Sequence, residues 1–213
     1  MKIGILGSGP VGTTLASGFT QHGHEAMISA RDPGKLVGWQ AENPSGKVGS
    51  FAEAIKFGDA LVLAVKAEAT SEVLRSAGVE HLAGKVVMDA TNPITNEPPV
   101  NGVLRFYTTM DDSLMERLQR EFPRARFVKA FSCVGNEFMV NPKLRGGMPT
   151  MFICGNDDGA KQVVTGILDQ FGWETADMGK VESARAIEPL CILWCLPGFL
   201  RNEWSHAFKL LHK

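Results

Sequence analysis

Short apolar runs alternate with amphipathic stretches along most of this chain. Seven of the apolar runs predict β-strands, and Ala60–Val65 is apolar at every position. A strand covered on both faces has this continuous pattern, because neither of its surfaces meets water. The predicted strands are Lys2–Leu6, Glu25–Ser29, Ala60–Val65, Lys85–Asp89, Arg126–Ala130, Thr150–Cys154 and Trp173–Asp177.

The stretches between these runs carry apolar residues at helical spacing. Strands and helices that alternate in this order are typical of an α/β fold with parallel strands. We therefore predict a Rossmann-type, doubly wound and mostly parallel sheet. The predicted helices are Pro10–His22, Phe51–Phe57, Glu68–Ala77, Asp112–Phe122 and Asp158–Phe171.

Two segments, residues 91–109 and residues 132–149, interrupt the alternation of strands and helices. The first contains three prolines and three asparagines, the second two prolines and three glycines, and neither shows a clear period. Loops of this length inside a compact domain are usually functional or mobile. We predict that both are functional loops.

The chain from Val181 onward is rich in leucine and aromatic residues and predicts a small helical part. Pro189 predicts a kink, and Pro197-Gly198 predicts the end of the helix. We therefore divide the chain into a Rossmann domain, residues 1–180, and a helical segment packed on it, residues 181–213. Several large apolar side chains are more than an end segment hides alone, so we expect a homodimer. They are Ile192, Trp194, Leu196, Phe199 and Leu200.

Charge and hydropathy argue against several classes of partner. The 22 basic and 23 acidic residues give a net charge of -1, without the basic excess of a nucleic-acid or anionic-lipid binder. The apolar run Pro189–Leu200 has 12 residues, whereas a membrane span needs about 20. We expect no nucleic acid and no membrane among the partners.

The cysteines and the N-terminal strand bear on the cellular compartment. No pair of the four cysteines has C-x-x-C spacing, and none lies at zinc-finger spacing from a histidine, so we predict no metal site. Buried thiols are typical of a reducing cytoplasm. Ile3, Ile5 and Leu6 lead directly into a glycine turn, so we expect no cleaved signal peptide and a cytoplasmic location.

A glycine-rich loop follows the first predicted strand. Gly7-Ser8-Gly9-Pro10-Val11-Gly12 matches the pattern G-x-G-x-x-G, between a strand that ends at Leu6 and a predicted helix. In such a loop the first glycine permits the turn, the second lets a pyrophosphate approach, and the third allows close packing of helix and strand. The helix N-terminus would then bind the pyrophosphate of a dinucleotide.

The end of the second predicted strand favours NADP(H) over NAD(H). An NAD site places a carboxylate there to bind the ribose 2′-hydroxyl, but the expected position is Ser29. Arg31 follows, and Lys35 comes one turn later. A hydroxyl and two cations suit a 2′-phosphate. Asp32 would have to turn outward or cap the next helix.

The chain resembles the F-420-dependent NADP oxidoreductase family, which also supplies the cytosolic domain of the six-transmembrane metalloreductases. The resemblance runs nearly from end to end, and its order of Asn-Pro and Lys-Ala-Phe segments is more specific than the glycine loop. The matching segments are the loop at 7–12, residues 29–31, 63–66, 89–93, 128–135, 155–158 and 184–189.

The resemblance implies direct hydride transfer between a nicotinamide and a flat, stacked acceptor, coenzyme F-420 or a flavin. Such chemistry depends on aligned rings more than on acids and bases, so we predict no catalytic side chain. The resemblance adds further NADP(H)-binding residues to the loop and the strand end, and it implies that Phe131, Ser132, Cys133 and Val134 line the acceptor pocket. The added cofactor residues are Ala64, Val65, Lys66, Asn92, Pro93 and Ala130.

Two alternatives remain open at the level of sequence. One is a reductase of a small ketone, acid or imine, although enzymes of that kind usually carry a large helical second domain. The other is an NADP(H)-binding sensor without catalysis, with the apolar loops and the Pro189–Leu200 segment as its docking surface.

Overall fold

Six parallel strands form the main sheet of the computed structural model, which describes residues 1–212. Their order across the sheet is β3-β2-β1-β4-β5-β6, so the chain winds outward from β1 in both directions. This order confirms the predicted doubly wound α/β fold. The strands are β1 Lys2–Leu6, β2 Glu25–Ser29, β3 Lys47–Gly49, β4 Ala60–Leu63, β5 Val86–Asp89 and β6 Arg126–Lys129.

Helices cover both faces of this sheet. Alternate residues of β4 explain the arrangement, because Ala60 and Val62 belong to one buried cluster and Leu61 and Leu63 to the other. Both clusters exclude water from the strands, as their continuous apolar pattern predicts. The helices are α1 Pro10–Gln21, α2 Val37–Glu42, α3 Phe51–Phe57, α4 Thr70–Arg75, α5 Leu114–Glu121, α6 Asp158–Gln170, α7 Ala184–Ile187 and α8 Leu190–Arg201.

Two further strands form a separate, two-stranded sheet. Strands β7, Thr150–Ile153, and β8, Glu174–Asp177, pair in parallel with each other. An antiparallel bridge between Lys129 and Cys154 joins this pair to the end of β6. The two-stranded sheet therefore lies beside the β6 edge of the main sheet.

Strand β3 and helix α2 were not predicted, and both have weak sequence signals. Strand β3 has three residues at the sheet edge, with Val48 as its single large apolar side chain. Helix α2 has six residues, none of them buried. Because neither element buries a repeated apolar pattern, periodicity could not reveal them.

The helical stretch Val181–Arg201 corrects two expectations. Its 21 residues run through Pro197, so the predicted stop is wrong, and the length argument against a membrane span fails. Within residues 1–212 it is the one helix that is long and apolar enough to cross a bilayer, by length and composition only, and a third of its apolar window is buried in the protein. The break between α7 and α8 falls at Glu188 and Pro189, where the kink was predicted.

The chain beyond α8 is irregular rather than helical. Asn202 adopts a left-handed conformation with φ 55°, and the tail then folds back along the molecule. The indole nitrogen of Trp194 donates to the carbonyl of His206 over 2.8 Å, and Thr150 N donates to the carbonyl of Phe208 over 2.9 Å. These bonds fix the tail against α8 and the start of β7.

Candidate functional site

The glycine loop is closed tightly against the sheet at two of its glycines. Gly7 has φ +132°, and a Cβ there would lie 2.2 Å from the carbonyl oxygen of Ala64. A Cβ on Gly12 would lie 2.1 Å from the carbonyl oxygen of Gly7. A side chain at either position would force backbone apart, so both glycines set the shape of the loop.

Gly9 differs, because the space above it is open. A Cβ on Gly9 would meet no atom within 4 Å. Gly9 is also the N-cap of α1, where no side chain caps the helix and no acidic residue stands in the first turn. The first N–H groups of α1 are therefore free to bind an anion, and the open surface at Gly9 admits a pyrophosphate.

The end of β2 presents cations at the surface. Arg31 and Lys35 are exposed, and neither has an ion-pair partner within residues 1–212. The Asp32 carboxylate accepts a hydrogen bond from Gly34 N over 3.1 Å and caps the 3₁₀ turn Pro33–Leu36. The carboxylate is thus engaged in its own turn, and the cations remain for a phosphate.

The side chain of Ser29 does not face the cofactor site, although the sequence predicted that it would. The residue is fully buried, and its hydroxyl donates to the carbonyl of Ile5 over 2.7 Å. Because the hydroxyl holds two neighbouring strands together, it is not available to a ligand. The predicted contact between the Ser29 side chain and the cofactor is corrected accordingly.

A cavity of about 380 Å³ opens at the carboxyl ends of β4 and β5. In doubly wound sheets ligands bind at this edge. The cavity brings together five of the predicted cofactor residues from three separate segments: Val11, Ala64, Val65, Lys66 and Asn92. The other lining residues are Ala67, Glu68, Ala90, Thr91, Ile94, Thr95 and Asn96.

Pro93 and Ala130 were predicted beside these residues but are buried and do not line the cavity. Ala130 is fully enclosed in the apolar cluster beside α1 and α6. Its contribution is to the packing of the strand end rather than to a ligand.

Asn92 links the loops that follow β5 and β6. Its amide nitrogen donates to the carbonyl of Ser132 over 2.7 Å. The Asn92 carbonyl oxygen and the Ser132 hydroxyl are both buried without a hydrogen-bond partner among residues 1–212. Such orphaned polar atoms are uncommon and mark places where a bound molecule could complete the hydrogen bonding.

The segment Phe131–Val134 is core rather than pocket wall, which corrects the predicted acceptor contacts. Its four side chains are all buried, and Cys133 is 2% exposed. Burial raises the pKa of the Cys133 thiol to about 12. Phe131 has φ +64°, and its ring lies 6.2 Å from that of Phe171. This turn directs the side chains inward, and Ser132 meets Asn92 through its backbone.

Three buried charges next to the cavity were not predicted. Lys129 Nζ lies 2.7 Å from Asp89 Oδ2 and 2.9 Å from Glu188 Oε1, and it donates to the carbonyl of Thr91 over 2.9 Å. Burial alone would lower the pKa of Lys129, but the two carboxylates raise it above its ordinary value. Charged residues that end apolar strands, Asp89 and Lys129, were the available signal, since buried charges need partners.

Glu188 also binds the start of α5. Its two carboxylate oxygens accept hydrogen bonds from the backbone N–H groups of Leu114 and Met115, both over 3.0 Å. One side chain from the C-terminal part thus connects helix α5 with strands β5 and β6. In the described part of the chain, no group of three or more His, Cys, Asp or Glu residues could hold a metal ion.

Comparisons with known proteins agree with this fold. Residues 2–93 match the model of the family described as NADP oxidoreductase, coenzyme F420-dependent. A candidate F420-dependent NADP reductase from Arthrobacter sp. FB24 is 32% identical, with all of both chains covered and a TM-score of 0.92.

Two further relatives extend the comparison. Metalloreductase STEAP3 of Rattus norvegicus is 30% identical over 204 residues, which cover 93% of this chain and 39% of that protein. An imine reductase from Streptomyces aurantiacus shares the fold alone, with 16% identity, a TM-score of 0.70, and 94% of this chain against 63% of that chain covered. The chain belongs to the coenzyme F420-dependent NADP oxidoreductase family, and thereby to the NADP-dependent oxidoreductases.

Proposed function

We propose that this chain transfers hydride directly between NADP(H) and a flat acceptor, a deazaflavin such as coenzyme F-420 or a flavin. The observation that carries the proposal is the cavity at the ends of β4 and β5, which shares Val11 with the glycine loop. Bound NADP(H) supplies or takes the hydride, so the protein has to bind and align the reactants.

Two surfaces of the protein suit the phosphate groups of the cofactor. The free N–H groups at the start of α1 suit the pyrophosphate, because a helix N-terminus favours negative charge. Arg31 and Lys35 suit the 2′-phosphate, and the guanidinium of Arg31 can bind it through two hydrogen bonds. Both surfaces belong to elements next to β1.

The cavity suits the ring end of the cofactor. Val11, Ala64, Val65, Ala67 and Ala90 give it an apolar lining, which suits the face of an aromatic ring. Lys66 and Glu68 are its titratable lining residues, and both are exposed. The lining therefore suits alignment of two rings better than proton transfer by a buried acid or base.

A binding and turnover experiment tests this proposal. The purified protein is titrated with NADPH and then mixed with F-420, FMN or FAD while NADPH absorbance is followed. We expect oxidation of NADPH by at least one of these acceptors. Absence of NADPH binding would overturn the proposal, and binding without oxidation would favour the sensor alternative.

The small-substrate alternative has less support. The likeness to an imine reductase is confined to the fold, and the match leaves more than a third of that enzyme without a counterpart. The same assay with a cyclic imine in place of the flat acceptor tests it directly.

We further propose a cytoplasmic homodimer. Cys133, Cys154, Cys191 and Cys195 are all free thiols, as in a reducing compartment. Leu193 and Leu200 lie seven residues apart on one face of α8 and are 52% and 55% exposed. A second copy of the chain would cover this apolar face.

A further inference from the structure

A second cleft lies between the loop 143–149 and the tail 205–209. Its volume is about 550 Å³, within the usual range for small-molecule sites. It shares no lining residue with the cavity at β4 and β5. None of the residues assigned above to NADP(H) or to the acceptor lines it.

The cleft concentrates positive charge in a chain whose net charge is -1. Lys143 and Arg145 are exposed, and neither has an ion-pair partner within residues 1–212. Lys209 and His206 stand on the opposite wall, where Lys209 pairs with Glu174. No carboxylate is among the described lining residues, so an anion in the cleft would meet the unpaired Lys143 and Arg145 on the loop side.

The lining of the cleft combines an open, glycine-rich turn with aromatic side chains. Gly146 and Gly147 have φ 101° and 103°, and no atom would lie within 4 Å of a Cβ on either. Phe138 and Phe208 contribute aromatic surface.

Two hydrogen bonds hold the tail wall in place. Thr150 N donates to the carbonyl of Phe208 over 2.9 Å, and Leu210 N donates to the Thr150 hydroxyl over 3.0 Å. The tail is thus hydrogen-bonded to Thr150, the residue that directly follows the loop 143–149. These bonds hold the tail beside the loop.

We propose that this cleft is a second binding site, which takes a small aromatic molecule through its phosphate group. Arginine and lysine are the side chains that bind phosphate most strongly, and aromatic surface suits a flat ring. The inference is independent of the hydride acceptor, because it concerns binding outside the cofactor cavity.

The test compares two probes that differ by one phosphate. Protein saturated with NADP⁺, which fills the glycine loop, is titrated with FMN and with riboflavin, and flavin fluorescence reports binding. The variant Lys143→Gln/Arg145→Gln removes the two unpaired cations. Its matched control is Lys56→Gln/Arg124→Gln, which removes two exposed cations before β4 and β6, at the opposite edge of the sheet.

We expect FMN to bind at least about tenfold more tightly than riboflavin. The double variant should lose that difference, and the control should keep it. Inorganic pyrophosphate should displace FMN from the wild-type protein.

Other outcomes would overturn the inference. Absence of FMN binding, or equal affinity for FMN and riboflavin, would do so. FMN binding that the double variant leaves unchanged would place the flavin elsewhere, including the acceptor cavity, and would also do so. A protein that binds FMN here but fails to oxidise NADPH would contradict the proposed function alone.

Discussion

The three glycines of the loop have different neighbours, and this difference separates binding from folding. Gly9→Val places a branched side chain in the open space where a pyrophosphate would lie, so NADPH and NADH affinity should both be lost while the fold persists. Gly12→Val is the matched comparison, because its Cβ would meet the backbone of Gly7 and should destabilise the protein. Thermal unfolding and cofactor titration of both variants measure these effects. Retained NADPH affinity in a folded Gly9→Val protein would show that the loop is only a turn and does not bind the pyrophosphate.

Arg31 should decide the choice between the two nicotinamide cofactors. Arg31→Ala removes a hydrogen bond to a charged group, so the free energy of NADPH binding should weaken by about 1.5–3 kcal/mol. NADH affinity should barely change, since NADH lacks the 2′-phosphate. Titration of both cofactors checks this, with Arg124→Ala, at the opposite edge of the sheet, as the control. Equal losses for NADPH and NADH would contradict the assignment.

The buried thiol of Cys133 should make stability depend on alkaline pH. Its pKa is about 12 in the folded protein, raised by burial from an ordinary value of 9.0. Between these values the folded state holds the proton and the unfolded state has lost it. Its contribution is therefore complete below about pH 9 and is lost as the pH rises towards 12.

Cys133→Ala should remove this dependence. The free energy of unfolding of the wild type should fall more steeply with pH than that of the variant, by about 1.4 kcal/mol per pH unit. Urea unfolding at several pH values between neutral and alkaline provides the slopes. Parallel slopes would show that the Cys133 thiol ionises as easily in the folded protein as in the unfolded chain.

At the level of elements, Glu188 connects the C-terminal helices with the sheet and with α5. Glu188→Ala leaves two N–H groups of α5 without an acceptor and Lys129 with one carboxylate, so it should cost about 3–5 kcal/mol of stability. Glu182→Ala, exposed in the preceding turn, should change stability by less than about 0.5 kcal/mol. Denaturant unfolding measures the free energy of unfolding of the two variants. Similar decreases in both would show that the buried contacts of Glu188 do not stabilise the protein.

Helix α8 shows why a local rule can fail at the level of an element. Pro197 removes the hydrogen bond to the carbonyl four residues earlier, that of Leu193. Leu193 is half-exposed, and the helix continues through Pro197 without this bond. Gly198 lies directly under the ring of Trp204, which favours the helix by packing. The sequence showed the proline, but the solvent around Leu193 and the returning tail are properties of the folded molecule.

The oligomeric state is a prediction for the whole molecule. Leu193→Glu places a charge on the exposed apolar face of α8 and should convert a homodimer to a monomer. Val37→Glu, at an exposed valine on α2, should leave the oligomeric state unchanged. Sedimentation velocity at micromolar concentration distinguishes the two states. A wild-type protein that sediments as a monomer would refute the homodimer.

Across the whole molecule, features that depend on residues close together in the sequence could be predicted. Features that depend on an unusual backbone conformation or on contacts between distant residues could not. The glycine loop follows from Gly7, Gly9 and Gly12 within six residues of sequence, and the sheet follows from its apolar runs. The inward turn at Phe131 depends on a left-handed backbone that a phenylalanine rarely adopts. The partners of Lys129 come from two distant parts of the chain, residues 89–91 and Glu188, so spacing could not show them.

The late position of Glu188 in the chain has a consequence for the order of folding. Asp89 and Lys129 can meet as soon as β5 and β6 pair, but the partner for the first turn of α5 is synthesised much later. Until Glu188 is synthesised, Lys129 therefore lacks one of its two carboxylates, and the N–H groups of Leu114 and Met115 lack their acceptor. We expect docking of α7 to be the last cooperative event, visible as late hydrogen-exchange protection of Leu114 and Met115. For the same reason residues 1–180 alone should not reach the native state.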